Sequence, residues 1–189
     1  MQYNLVSLLG FMDKTTEFKR SKLIMVTGGQ RSGKSVFAEQ LALNLSERPV
    51  YLATAQVLDS EMKTRVEIHK QRRQDRWRNI ESPLYLTEHS FADGDVVLLD
   101  CLTLWASNWF FESNECVEDA LTEIKSQLRT LLATKATFVV VTNEVGLGGV
   151  SANSMQRRFM DMQGLLNQFV ATLADDVYLI VSGIPVKIK

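Results

Sequence analysis

Only three prolines, two cysteines and two histidines occur in this 189-residue chain. Two thiols, Cys101 and Cys116, are too few for a disulfide framework or a four-cysteine zinc site. Reduced, buried thiols in a cytoplasmic protein are the expectation. Pro49 and Pro83 fall between helical patterns, and no Pro/Gly/Ser-rich linker divides the chain. No apolar run reaches the ~18 residues that a membrane-spanning helix needs. Net charge is close to nil, with 21 Lys and Arg against 22 Asp and Glu. That removes the electrostatic case for a protein that coats nucleic acid or an anionic membrane. What is present is ordinary for a globular fold: 46% hydrophobic and 23% charged residues, too apolar for a disordered chain.

Residues 1–22 read MQYNLVSLLGFMDKTTEFKRSK. The apolar run Leu5 to Met12 has no basic residues before it and no small-residue cleavage site after it, which argues against a secretory signal. A disordered or extraneous extension is the favoured reading, ahead of a docking peptide. Residues 23–189 are expected to form one domain.

Short β-branched runs recur at Leu23 to Thr27, Val50 to Thr54, Val96 to Leu99, Phe138 to Thr142 and Val177 to Val181. Near-continuous apolar runs suit strands covered on both faces of a parallel sheet. Helical spacing lies between them. Phe37, Leu41 and Leu45 share a face, as do Val117, Leu121, Ile124, Leu128 and Leu132. A longer face runs through Met155, Phe159, Met162, Leu166, Phe169 and Leu173, and a further helix is predicted from Asp59 through Met62, Val66 and His69. Alternating elements predict an open, mainly parallel α/β sheet flanked by helices, with ligands at the carboxyl ends of its strands.

Directly after the first strand stands Gly28-Gly29-Gln30-Arg31-Ser32-Gly33-Lys34-Ser35, followed by a helical pattern. It fits the phosphate-loop spacing G-x-x-x-x-G-K-S/T in its strand–loop–helix context. Glycines let backbone N–H groups approach phosphate oxygens, and the helix N-terminus adds its positive dipole end. Lys34 would bring a point charge and the Ser35 hydroxyl a ligand for Mg²⁺. The acidic partner such a loop requires is Asp100, at the end of Val96-Val97-Leu98-Leu99. The fourth strand ends in Thr142-Asn143-Glu144 before a glycine-rich loop; Glu144 could orient an acceptor hydroxyl or act as a base, and Asn143 could equally cap a turn.

Seven Lys or Arg residues fall between Ser60 and Arg78, with His69 among them. Three readings compete. The run is a solvated helical face, a nucleic-acid patch with Trp77 as its one aromatic, or an anion site where a neutral histidine attacks phosphorus.

Six blocks, in order, complete the pattern: VTGGQRSGKS from Val26, YLATAQVLDSEM from Tyr51, RVEIHK from Arg65, VVLLDCLT from Val96, VVVTNEVGLG from Val139, and VSGIPVKIK at the end. With them the chain resembles the bifunctional adenosylcobinamide kinase/adenosylcobinamide-phosphate guanylyltransferase family of cobalamin biosynthesis. The resemblance implies a P-loop NTPase-type, RecA-like three-layer fold and two reactions. ATP or GTP phosphorylates the aminopropanol hydroxyl of adenosylcobinamide, and a histidine then carries GMP from GTP to the cobinamide phosphate, releasing pyrophosphate. It places the guanylylated histidine at His69. Nucleotide contacts map onto Gly28, Gly29, Gln30, Arg31, Ser32, Gly33, Lys34 and Ser35, onto Ala53, Thr54 and Ala55, onto Lys70, Gln71, Arg72 and Arg73, and onto Glu81 and Asp100. Ser35 and Asp100 would hold Mg²⁺. The partners implied are nucleoside triphosphates and a corrinoid, within a homo-oligomer, a trimer by the family's likeness, and without nucleic acid or membrane. The chain departs from the pattern at Ile68, where relatives often have a second histidine, at Arg72 and Gln74, and at Asp100, where some have glutamate. A small-molecule kinase lacking guanylyl transfer is the alternative enzyme, and a nucleotide-binding regulatory module the alternative class.

Overall fold

The apolar runs become the interior of one seven-stranded sheet in the computed structural model, which describes residues 21–56 and 74–189. Its strands are β1 (Lys22–Gly28), β2 (Val50–Ala53), β3 (Arg78–Glu81), β4 (Val96–Asp100), β5 (Thr137–Val141), β6 (Asp176–Val181) and β7 (Ile184–Lys187). They lie in the order β3-β2-β4-β5-β1-β6-β7, and every neighbouring pair is parallel except β6 and β7. Four helices are described: α1 (Lys34–Leu45), α2 (Leu102–Glu112), α3 (Val117–Leu132) and α4 (Ser154–Leu173). The expected open, mainly parallel α/β sheet is what forms.

Strand side chains alternate between two cores, because successive residues point to opposite faces. Leu23, Met25, Leu52, Leu99, Phe138 and Val140 pack with Trp105 of α2, Ile124 of α3, and Met162 and Leu166 of α4. Ile24, Val26, Leu98, Val139 and Val141 face the other way, onto Ala38 and Ala42 of α1. Helices therefore cover both faces, in three layers.

The helical faces differ in detail from the spacing expectation. On α1 the fully buried residues are Ala38 and Ala42, while Phe37 and Leu41 are only partly buried and Leu45 is exposed. Small side chains let this helix lie close to the sheet, so the large ones splay to its flanks. On α4 the buried stripe is Met162, Leu166 and Val170, joined by Gln163 and Asn167; Met155, Phe159, Phe169 and Leu173 are partly buried beside it. On α3, Leu121, Ile124 and Leu128 are buried as expected.

Three elements carried no clear signal. Edge strand β3, RNIE, has no apolar run to announce it. Helix α2, which begins at Leu102, was not among the expected helical faces. Strand β7 turns back from β6 through Ser182 and Gly183, both at positive φ (50° and 84°), the two-residue turn that suits a twisted hairpin. The helix predicted from Asp59 lies outside the described residues. Among those described, no helix is long and apolar enough to cross a membrane.

Because β1, β2, β4 and β5 run parallel, their carboxyl ends meet along one edge, where an open sheet of this kind takes its ligands.

Candidate active site

The chain leaves β1 through Gly28, at φ 149°, and reaches α1 through Gly33, at φ 99° in the left-handed region. Neither position admits a side chain. A Cβ on Gly28 would stand 2.5 Å from the Ile180 carbonyl oxygen, and one on Gly33 would stand 3.2 Å from Gly183 Cα. Strand β6 is the reason at Gly28 and the β6–β7 turn at Gly33, where the Gly183 N–H donates to the Ser32 carbonyl oxygen at 2.8 Å and braces the loop from outside. Within the loop, the Ser32 hydroxyl is buried and has no hydrogen-bond partner among the described residues. A buried hydroxyl without a partner, beside the open N-terminus of a helix, fits an anion such as phosphate.

Lys34, the first residue of α1, is 6% exposed and donates from Nζ to the Gly29 carbonyl oxygen at 2.5 Å. Burial lowers its pKa from the usual lysine value, while the Asp100 charge acts in the opposite direction. A desolvated ammonium held inside the loop attracts phosphate far more strongly than one in water. Gln30 and Arg31 are exposed, and Ser35 is half-buried.

The second group of expected residues meets at the end of β2. Ala53 pairs in register with Glu81 of β3 on one side and with Asp100 of β4 on the other. Thr54 then bonds across to β4: its N–H donates to the Asp100 carbonyl oxygen at 3.2 Å, and its hydroxyl engages Cys101. The Tyr51 hydroxyl donates to Asp100 Oδ2, and Tyr51 itself packs edge-on against Trp77. Asp100 is thus held through both backbone and side chain. The neighbouring Cys101 thiol is buried, and desolvation followed by the Asp100 charge pushes its pKa up to about 12, so it stays protonated.

Behind these ends lies a polar cluster that the sequence showed only in part. Asn167 and Gln163 of α4 are buried one helical turn apart and bonded to each other at 2.8 Å. Thr142 donates to Asn167 Oδ1 at 2.7 Å, and Asn167 Nδ2 donates to the Asn143 carbonyl oxygen at 3.1 Å and to Glu144 Oε1 at 3.2 Å. Thr27, the last residue before the loop, donates to the same Glu144 oxygen at 2.6 Å. Thr142, Asn143 and Glu144 stood out as a polar end to a buried strand. The two amides did not, being hidden in the apolar stripe of α4, where two polar residues at i and i+4 were the available signal.

A protein-family model described as cobinamide kinase / cobinamide phosphate guanyltransferase matches residues 24–188. The chain belongs to this family. It is 41% identical over 181 residues to the bifunctional adenosylcobalamin biosynthesis protein CobU of Escherichia coli, covering 88% of this chain and 99% of that protein. The Salmonella typhimurium protein of the same name gives the same figures, and the CobP protein of Pseudomonas aeruginosa is 38% identical over 168 residues, covering 87% and 96%. A solved structure described as the RadB recombinase aligns with 85% of this chain and 74% of its own, at 14% identity and TM-score 0.43.

Membership in the cobinamide kinase / guanyltransferase family calls for two chemical centres. The structure brings together the loop from Gly28 to Ser35 with Ala53, Thr54, Ala55, Glu81 and Asp100 at one sheet edge. His69, Lys70, Gln71, Arg72 and Arg73, the residues expected to serve guanylyl transfer, lie outside the described residues. Of the basic run, Arg76, Trp77 and Arg78 are among the described residues. Trp77 is 4% exposed and packed on Tyr51, so it offers no platform for stacking a nucleic-acid base, and Arg78 pairs with Asp95 at 2.7 Å.

Proposed function

We propose that this chain catalyses both steps of cobinamide activation: phosphorylation of the aminopropanol hydroxyl of adenosylcobinamide with ATP or GTP, then transfer of GMP from GTP to adenosylcobinamide phosphate. The observation that carries the first step is Lys34, buried in the phosphate loop and within electrostatic reach of Asp100. Phosphoryl transfer depends on positioning and charge neutralisation, and these residues supply both.

The oxygen donors at this edge suit Mg²⁺. Among the described residues no group of three or more acidic, cysteine or histidine side chains could cage a metal. Ser35 and Asp100 would hold the ion with one hydroxyl and one carboxylate, the sparse protein share Mg²⁺ takes when phosphate oxygens and water complete its shell. Bound there, it would neutralise charge on the phosphates. Thr54 and Tyr51 hold Asp100 in place for that role.

For the second step the reading assigns His69 as the nucleophile. Its imidazole nitrogen forms a bond to the α-phosphorus of GTP, the bond to the bridging oxygen breaks, and pyrophosphate leaves. An oxygen of the cobinamide phosphate then attacks the same phosphorus and the imidazole departs, giving adenosylcobinamide-GDP. Lys70, Gln71, Arg72, Arg73 and Glu81 are assigned to the nucleotide. A homo-oligomer, a trimer by family likeness, belongs to the same proposal and is checked by the native mass.

Incubation with GTP labelled at the α-phosphate tests the covalent step. Acid-labile, alkali-stable label is expected on the wild type and none on His69→Ala; unlabelled wild type or a fully labelled variant overturns the nucleophile. Lys34→Ala is expected to abolish cobinamide phosphorylation, and near-normal turnover overturns the loop's role.

A further inference from the structure

We propose that Glu144 accepts the proton of the acceptor hydroxyl in the kinase step, held in position by Asn167; the assignment rests on the cobinamide kinase reading above. Three observations lead to it. First, β5 lies between β1, which feeds the phosphate loop, and β4, which ends in Asp100. Glu144 follows β5 and its N–H donates to the Gly28 carbonyl oxygen at 3.1 Å, so its backbone is fastened to the first residue of the loop.

Second, the carboxylate is anchored through one oxygen. Oε1 accepts from Thr27 Oγ1 and Asn167 Nδ2, whereas among the described residues no hydrogen bond engages Oε2. The residue is half-buried and the chain beyond it, from Gly146 to Val150, is exposed, so the second oxygen belongs to an accessible group. A general base needs this combination of a fixed carboxylate and a free lone pair. A carboxylate serving only to tie β1 to β5 needs no such free oxygen.

Third, the anchor is itself immobile. The Asn167 amide is fully committed: Oδ1 accepts from Thr142 and Gln163, and Nδ2 donates to Asn143 and Glu144. Asn167 has no further hydrogen-bonding capacity for substrate and acts as a positioning residue. The other carboxylates at this edge are differently used. Asp100 accepts from Tyr51, and Glu81 lies on the outer strand β3.

In the step, the acceptor oxygen forms its bond to the γ-phosphorus while the bond from that phosphorus to the β–γ bridging oxygen breaks. The nucleoside diphosphate leaves with that electron pair, and the hydroxyl proton passes to Glu144 Oε2. Guanylylation of the enzyme involves no acceptor hydroxyl and should not depend on Glu144.

Glu144→Gln separates the two roles, because glutamine keeps an oxygen for Thr27 and Asn167 and replaces Oε2 with an amide that cannot take a proton. The expected result is a fall of roughly 10²–10⁴-fold in kcat for cobinamide phosphorylation. KM values should stay within about threefold, and labelling by α-labelled GTP should continue at the wild-type rate. Where that variant is insoluble, Glu144→Ala supplied with formate is used instead, and restored turnover supports the assignment. Kinase turnover within about threefold of wild type overturns it, as does a parallel loss of nucleotide affinity and labelling, the mark of a structural tie. Failure of formate to restore Glu144→Ala also overturns it. A wild-type chain that phosphorylates no cobinamide fails differently, removing the kinase reading and this assignment with it.

Discussion

The Thr54 hydroxyl grips Cys101 twice, donating to its carbonyl oxygen at 2.8 Å and accepting from its N–H at 2.9 Å. Both bonds are buried, and they lock the end of β2 to the residue after Asp100. Thr54→Val keeps the shape and removes the hydroxyl, leaving the Cys101 N–H buried without a partner, while its carbonyl oxygen keeps the bond from the Trp105 N–H at 3.1 Å. An orphaned group of this kind costs about 1–3 kcal/mol, and denaturant unfolding should show a loss of that size. Kinase activity should fall with it as Asp100 loses its support, and Thr54→Ser should recover most of both. A valine variant as stable as wild type would show that the clamp contributes nothing.

Gly28 and Gly29 are adjacent and should respond oppositely to alanine. At Gly28 the new Cβ meets a backbone oxygen at 2.5 Å, with φ at 149°, and neither strand can withdraw without breaking its pairing with the other. A destabilisation of about 2–4 kcal/mol is expected, together with lost nucleotide binding. At Gly29 a Cβ meets nothing within 4 Å, so Gly29→Ala should keep the wild-type Tm to within about 2 °C. Equal melting temperatures for the two variants would contradict the close packing of β6 on the loop.

How much of this was legible in advance depends on how each residue does its work. Buried parallel strands advertise themselves, because two covered faces demand runs such as Val96-Val97-Leu98-Leu99. The loop from Gly28 to Ser35 is legible because its chemistry lies in backbone geometry, which dictates the residue types at fixed spacing. Edge strands β3 and β7 were hidden for the converse reason: β3 is mostly exposed and has no apolar run to show, and β7 is exposed throughout and only four residues long. The buried face of α1 was misread because alanines do the packing there and spacing rules weigh large side chains. Asn167 was invisible since its importance comes from three-dimensional convergence: Thr142, Asn143, Gln163 and Glu144 meet it from two elements.

Asp176 opens β6 and joins three strands through one carboxylate, with Oδ2 at 2.9 Å from Lys22 of β1 and Oδ1 at 2.5 Å from Lys187 of β7. The bond from Lys187, and after it the bond from Lys22, holds the carboxyl below its usual range. An acid whose folded pKa is depressed stabilises the fold above its unfolded pKa, and the benefit disappears as pH falls through the folded value. The gap in Tm between wild type and Asp176→Asn should therefore be full at pH 6–7 and close progressively below pH ~4. Both lysines are about half exposed, so the gap should be only ~1–3 °C at low salt and should shrink further as salt is added. Thermal melts of the two proteins at matched pH measure it directly, since effects from the remaining carboxylates cancel in the difference. A gap of the same size at pH 3 and pH 7 would show that Asp176 contributes through packing or neutral hydrogen bonds, not through its charge.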